Sequence, residues 1–132
     1  MILVVRNDLP EWQILNTVAH MGAFLGNKIG SYFDTGEYFM AKDGSKYPRN
    51  SQYPIIVLSI LSEELPALLD DVRNTNLVWI SFTKDMIETT DDFELEDIFG
   101  SKDSRELDIL GIGLFGDKEK VSVLTKKFKL WK

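Results

Sequence analysis

Residues 107–120 read LDILGIGLFGDKEK, with three glycines in the pattern G-x-G-x-x-G. A dinucleotide-binding turn of this pattern needs a preceding strand, a following helix and a later strand ending in an acidic residue about 20 positions on. Sixteen residues follow Gly116, and the last acidic residue is Glu119, so the stretch predicts no nucleotide site. We interpret Gly111 and Gly113 as strand positions where a missing side chain lets a helix or ligand come close. Gly116 is interpreted as the turn into a last helix.

The chain is acidic and contains no cysteine. Its 132 residues suit one domain, and its net charge of −6 with a pI near 4.7 argues against strong non-specific nucleic-acid binding. The lack of cysteine excludes disulfides, thiolate metal sites and cysteine nucleophiles. Arg6 and Asp8 interrupt the opening apolar run, which is too short for a signal peptide or a membrane span. We therefore expect a single cytoplasmic domain, residues 1–132, that binds neither nucleic acid nor membrane.

Charge is distributed unevenly along the C-terminal part of the chain. Residues 85–108 contain ten acidic residues against two basic ones, and residues 117–132 contain six lysines against two acidic residues. The acidic segment lacks the Asp-x-Asp-x-Asp-Gly spacing of a calcium loop. One interpretation is a solvated acidic segment followed by a helix with an exposed lysine face. The alternative is a local polyanion site on the lysine side.

Hydrophobic patterning predicts strands that alternate with helices, which is typical of an α/β domain. Four strands are expected in one mixed sheet with helices on both faces, near residues 1–6, 54–60, 77–82 and 107–115. Helices are expected near residues 11–25, 62–74, 91–99 and 118–127. Asp43-Gly44 predicts an exposed hairpin turn.

The first helix has clear boundary signals. Asp8 and Glu11 have the spacing of a capping box, Pro10 suits the first turn, and Gly26 is a typical stop. Residues at helical spacing predict its buried stripe: Trp12, Leu15, Val18, Ala19, Gly22 and Leu25.

Both ends of the chain resemble a known superfamily. ILVVRNDLPEWQILNTVAHMGAF (residues 2–24) and LDILGIGLFGDKEKVSVLTKKFKLW (residues 107–131) are similar, in the same order, to the two ends of the type 2 peptidyl-tRNA hydrolase superfamily. The run from Asp8 to Asn16 resembles more closely an uncharacterised bacterial branch of that superfamily. The resemblance implies a three-layer α/β/α sandwich with a four-stranded mixed sheet, and a homodimer.

The residues that these hydrolases use are partly missing. Asp8 and His20 fall on matching positions. Gln13 stands where the hydrolases carry an early helix lysine, and a neutral amide cannot supply that charge. The hydrolases' Asp-x-Gly-x-Thr segment before the last strand is absent, and residues 83–106 take its place. The resemblance therefore implies the scaffold of a hydrolase with an incomplete hydrolytic set.

Four residues are predicted to line a ligand cleft: Asp8, Gln13, Asn16 and Thr83. Gln13 and Asn16 lie three residues apart, so they lie on one helix face. Two amides there can form hydrogen bonds with both donors and acceptors of a ligand. Thr83 follows the third predicted strand, at the edge where α/β sheets bind ligands. The alternative roles are helix capping for Asp8, exposed surface positions for the two amides, and a turn cap for Thr83.

The pattern identifies no catalytic set, and Asp8 and His20 are the candidates. His20 is the only histidine, which excludes multi-histidine metal sites, and its alternative role is that of a partly buried structural residue. We predict no metal and no cofactor. The sequence favours a non-hydrolytic binding or regulatory domain for a small polar ligand or a peptide segment. The alternative function is a hydrolase of an ester or amide such as peptidyl-tRNA.

Overall fold

The computed structural model describes residues 1–33, 36–50 and 53–132. The strands in this part of the chain are β1 (Ile2–Arg6), β2 (Tyr38–Met40), β3 (Lys46–Pro48), β4 (Ile56–Ile60), β5 (Val78–Thr83), β6 (Ile109–Phe115) and β7 (Lys129–Leu130). The helices are α1 (Glu11–Ile29), α2 (Leu65–Arg73), α3 (Asp85–Glu88), α4 (Asp92–Ser101) and α5 (Lys118–Thr125), with 3-10 turns at Gly30–Phe33 and Ser62–Glu64.

Five of the described strands form one mixed sheet in the order β5-β6-β1-β4-β7, and β2 pairs with β3 in a separate hairpin. The central strand β1 is parallel to β4 and antiparallel to β6. β6 is also antiparallel to β5. The prediction that residues 107–115 join the sheet of residues 1–6 is confirmed. The predicted count of four strands is wrong, because Lys129 and Leu130 add a fifth strand beside β4.

The sheet buries apolar side chains on both of its faces. Val4 packs in a core with α2 and with Leu124 of α5, whereas Leu3 and Val5 pack in a core with α1. Successive residues of a strand point to opposite faces. Helix α1 therefore covers one face, and α2 with α5 covers the other. A mixed α/β domain with helices on both faces is confirmed.

The glycines of β6 let α1 lie close against the sheet, as their spacing predicts. A Cβ atom at Gly111 would lie 2.9 Å from the carbonyl oxygen of Val4 and 3.0 Å from Met21 of α1. A Cβ atom at Gly113 would lie 3.0 Å from Leu25 of α1. Gly116 has φ +150°, which side-chain-bearing residues rarely adopt, and it precedes α5.

A β-bulge interrupts the pairing of β5 with β6. Phe82 pairs with Gly111 and Thr83 pairs with Ile109, so Leu110 has no partner in β5. Leu110 packs on the α1 side of the sheet, whereas Ile109 packs on the α2 side. Bulges redirect the side chains beside them, and this bulge lies at the edge where β5 ends.

Helix α1 differs from its predicted form at both ends. It continues through Gly26 to Ile29, and Gly30 follows with φ 58°. Packing of the last turns against the sheet outweighs the low helix propensity of glycine. The predicted capping box is absent, because the N-cap is Pro10 without a side-chain hydrogen bond and Asp8 accepts hydrogen bonds from Arg6.

The buried stripe of α1 is also rotated from its predicted position. The buried residues are Thr17, Met21, Leu25 and Ile29. Trp12 and Leu15, which the pattern placed in the core, are 56% and 70% exposed. Of the buried residues of α1, Thr17, Met21 and Leu25 pack against the glycines of β6. The apolar residues of the helix alone do not predict which face of α1 makes this contact.

The other local predictions hold with small shifts in their boundaries. The hairpin turn forms at Asp43 and Gly44, where Asp43 accepts a hydrogen bond from the Ser45 N–H at 2.9 Å. Helix α2 buries its predicted stripe, Leu65, Leu68, Leu69 and Val72. Helix α5 ends at Thr125, two residues earlier than expected, and the chain then turns into β7.

Candidate ligand site at the carboxyl edge of the sheet

Three parallel strands end at the same edge of the sheet. β1 and β4 are parallel, and β5 runs in their direction because β1 and β5 are both antiparallel to β6. Open α/β sheets bind ligands outside the carboxyl ends of such strands, where the following helices leave to opposite faces. Helix α1 follows β1 on one face and α2 follows β4 on the other. The space between the ends of β1 and β4 is therefore the expected ligand position.

Two adjoining cavities lie beside this position, at the carboxyl end of β4 and along β7, and we term them together the crevice. One cavity of about 250 Å³ lies at the end of β4, and one of about 600 Å³ extends along β7. Both are lined by Asn7, Ser59 and Lys129. The smaller cavity is also lined by Ile60, Leu61, Glu64, Lys127 and Phe128, and the larger by Leu130, Trp131 and Lys132.

Arg6 connects the end of β1 to the start of β6 through two carboxylates. Its Nε and Nη2 donate to the two oxygens of Asp8, each at 2.8 Å, and its Nη1 donates to Asp108. The hydrogen bonds from Arg6 hold the pKa of Asp8 below its ordinary value, and the same bonds raise the pKa of Arg6. Asp8 is therefore an ionised carboxylate with both oxygens bonded.

A second ion pair lies after β5. Lys102 Nζ donates to Asp85 Oδ1 at 2.7 Å, and the Asp85 side chain is 14% exposed. The Lys84 N–H donates to the Asp108 carbonyl at 2.9 Å, which joins the end of β5 to the start of β6. Paired charges and backbone bonds therefore hold together the part of the edge formed by β5, β6 and β1.

The structure disperses the four predicted ligand residues along this edge. Asp8 lies in the turn after β1, and Gln13 and Asn16 lie half-buried in the first turns of α1. Thr83 is fully buried and pairs with Ile109, which packs on the α2 side. Gln13 and Asn16 therefore lie on the same face of the sheet, and the sheet separates Thr83 from them.

His20 and the buried hydroxyls lie around the end of β5. The exposed His20 ring stacks on Phe82, with the ring centroids 4.9 Å apart. Asn16 Oδ1 and the hydroxyl oxygens of Thr17 and Thr83 are buried, with no hydrogen-bond partner among the described residues. Sequence reasoning missed Thr17, because a threonine inside an amphipathic helix carries no signal of burial.

Sequence reasoning also missed the crevice. The sequence leaves two interpretations for the lysines of residues 117–132, an exposed helix face and a local polyanion site, and neither places a strand there. Lys129 belongs to β7 and lines the crevice. The one available signal was the excess of lysine over acidic residues in that segment. Asn7 precedes the predicted site residue Asp8 directly, but no pattern distinguishes it.

Within the described ranges, no group of three or more His, Asp or Glu side chains is placed to hold a metal ion. No helix in that same part of the chain is long and apolar enough to cross a membrane.

Comparison with known proteins gives one family and one fold. A family model described as "Protein of unknown function (DUF2000)" matches residues 1–132. The solved structure of a protein of unknown function, Atu0240 from Agrobacterium tumefaciens strain C58, has a TM-score of 0.85 and 24% identity to this chain. The alignment covers 99% of this chain and 96% of that chain, and it shows a shared fold. No curated protein matches the sequence. The resemblance to type 2 peptidyl-tRNA hydrolases stays a prediction.

Proposed function

The chain belongs to the DUF2000 family of proteins of unknown function, and we propose that it is a non-hydrolytic binding domain for a small polar ligand. The observation that carries this proposal is the crevice at the carboxyl end of β4, lined by Asn7 after β1 and by residues of β7. Its position is the one where α/β sheets bind ligands. The larger of its two cavities, about 600 Å³, has the volume of a small-molecule site.

The chemistry of the neighbouring residues favours binding over hydrolysis. A general base must accept a proton near neutral pH, whereas the pKa of Asp8 is lowered and both its oxygens accept from Arg6. A hydrolase also has to stabilise developing negative charge, and Gln13 offers only a neutral donor for that task. The other candidate catalytic residue, His20, stacks on Phe82 and does not line the crevice.

In this proposal the predicted residues support the site from outside its lining, since Asp8, Gln13, Asn16 and Thr83 do not line the crevice. Gln13 and Asn16 would support it from α1, and the buried Oδ1 of Asn16 has no hydrogen-bond partner among the described residues. Buried polar atoms are ordinarily satisfied by protein, water or ligand. Asp8, bonded to Arg6, would fix the conformation of the turn that contains Asn7. The fully buried Thr83 would stabilise the end of β5.

Screening of small polar fragments by NMR tests the proposed site. Binding should shift the backbone amides of Asn7, Ser59 and Lys129. Asn7→Trp should fill the crevice and abolish binding. Asn27→Trp, an equal change at an exposed position near the other end of α1, should leave binding intact. Fragments that bind Asn7→Trp as well as they bind the wild type would overturn the proposal.

A turnover assay on a model peptidyl-tRNA separates the proposal from its hydrolase alternative. We expect no turnover by the wild-type protein above the uncatalysed rate. Gln13→Lys serves as a second variant, since it restores the charge that the resemblance implies for a hydrolase. Robust wild-type turnover that Asp8→Ala abolishes would establish the hydrolase.

A further inference from the structure

Three lysines line the crevice. Lys127 lines the smaller cavity, Lys132 lines the larger one, and Lys129 lines both. In the described part of the chain the lysine ion pairs are those of Lys84 and Lys102, which lie beyond β1 on the other side of the edge. The three crevice lysines therefore have no carboxylate partner among the described residues.

Glu64 is the acidic residue that lines the crevice, and its side chain is bonded to the backbone of Leu61. Its Oε2 accepts a hydrogen bond from the Leu61 N–H at 3.4 Å. The lysine and glutamate side chains that line the crevice sum to a formal charge of +2, although the side chains of the whole chain sum to −6. The crevice is thus a local cationic site on an acidic protein.

We propose that the ligand of the crevice is a small organic anion, held through a phosphate or carboxylate group. This inference rests on the proposed function and adds the chemical class of the ligand. Lysine ammonium groups form charge-assisted hydrogen bonds with both kinds of anion, and these bonds are stronger than those between neutral groups. A low local dielectric at a protein surface strengthens the attraction further.

The two cavities differ in their lining residues, which indicates a ligand with two chemically different parts. Lys127, Lys129 and Asn7 line the smaller cavity, where Lys127 Nζ lies 5.0 Å from the centre of the Phe128 ring, and this cavity would take the anionic group. Leu130 and the half-buried Trp131 line the larger cavity and offer apolar surface to an uncharged part of the ligand, such as a ring. Lys132 also lines the larger cavity, and its positive charge would attract the anionic ligand from a distance.

Three probes of matched shape test the charge requirement: phenyl phosphate, benzoate and benzamide. Each is titrated while the amide shifts of Asn7 and Lys129 are followed by NMR. We expect at least one of the two anions to bind about tenfold or more tighter than benzamide, in line with the strength of charge-assisted hydrogen bonds. The tighter of the two anions identifies the group that the site prefers, and its affinity should fall as salt is added.

The outcomes distinguish this inference from the proposed function. Benzamide that binds in the crevice as tightly as the two anions would overturn the anion inference and leave the binding site in place. Binding of neutral fragments in the crevice without binding of any of the three probes would also overturn the anion inference and leave the binding site in place. Absence of binding by the probes and by the whole fragment library would overturn both.

Matched charge variants test the residues. The double change Lys127→Gln with Lys129→Gln should weaken binding of the preferred anion by about tenfold or more. Lys118→Gln with Lys126→Gln removes the same charge outside the crevice and should change the affinity by less than about threefold, because exposed charges at a distance are screened. Equal losses in the two variants would show a general charge effect and overturn the assignment of these lysines.

Discussion

The carboxyl edge of the sheet has two parts that differ in the state of their charges. In the part formed by β5, β6 and β1, Arg6 is bonded to Asp8 and Asp108, and Lys102 is bonded to Asp85. In the part formed by β4 and β7, the lysines of the crevice have no carboxylate partner among the described residues. Paired charges fix strand ends, whereas unpaired charges stay available to a ligand. This contrast is our basis for a structural role of the first part and a binding role of the second.

The largest effect on stability is expected for a change in β6, where α1 packs against the part of the edge formed by β5, β6 and β1. Gly111→Val places a side chain within 2.9 Å of the Val4 carbonyl oxygen and 3.0 Å of Met21. Overpacking of this kind should lower the free energy of unfolding by about 3 kcal/mol, measured by urea denaturation.

Gly22→Ala is the control for that change, since a Cβ atom there meets nothing within 4 Å. It should raise the free energy of unfolding by about 0.5–1 kcal/mol, because alanine favours the helix over glycine. An unchanged urea midpoint in Gly111→Val would show that α1 does not depend on this close contact.

A smaller loss is expected for Arg6→Met, which keeps the apolar stem and removes the guanidinium. The Arg6 side chain is 16% exposed, and its loss leaves Asp8 and Asp108 without their shared cation. We expect a decrease of about 2 kcal/mol in the free energy of unfolding. Arg73→Met, whose pair with Asp70 is exposed and 3.5 Å long, should cost less than about 0.5 kcal/mol. Equal losses in the two variants would contradict a special role for Arg6.

Acid should remove part of the stabilisation by Asp8. Its pKa in the folded protein is lowered, mainly by the hydrogen bonds from Arg6, so it lies below the unfolded value of about 3.9. Such a carboxyl stabilises the folded state above the unfolded pKa, and the stabilisation is lost as the pH falls through the folded pKa. The melting temperatures of wild type and Asp8→Asn should therefore differ at pH 7 and converge below about pH 4. The difference should be small because Asp8 is exposed, and a difference that does not narrow as the pH falls below about 3.9 would exclude ionisation as its cause.

The smallest effect on stability is expected in the second part of the edge. Lys129→Gln removes an exposed charge without an ion-pair partner among the described residues, so the free energy of unfolding should change by less than about 0.5 kcal/mol. Chemical denaturation measures this value. A loss as large as that of Arg6→Met would mean that the lysine has a structural role and would remove the contrast between the two parts.

The sequence predicts those features of the fold that depend on local spacing. The glycines at positions 111 and 113, the turn at Asp43-Gly44 and the stripe of α2 each give a regular local signal. β7 gives none, because a strand of two residues is too short for a periodicity to appear. The stripe of α1 was misjudged because the contact with Gly111 selects Thr17 over Leu15.

The candidate site depends on partners that are far apart in the sequence. Asp8 has the local spacing of a helix cap, but Arg6 also bonds to Asp108, which lies 102 residues further on. That contact draws Asp8 into an ion cluster that no local pattern shows. The crevice is formed in the same way, because Asn7, Ser59 and Lys129 meet only when β1, β4 and β7 are assembled.

The central position of β1 has a consequence for the order in which the protein folds during synthesis. β1 is made before both of its neighbours, which are β4, residues 56–60, on one side and β6, residues 109–115, on the other. Pairing at such sequence separation is slow, because a long loop must close before any contact forms. On the ribosome, β1 can pair with β4 early, but its other edge stays open until β6 has emerged. The open edge of a nascent β1 presents unpaired backbone N–H and C=O groups, so it is exposed to pairing with other chains until β6 has emerged.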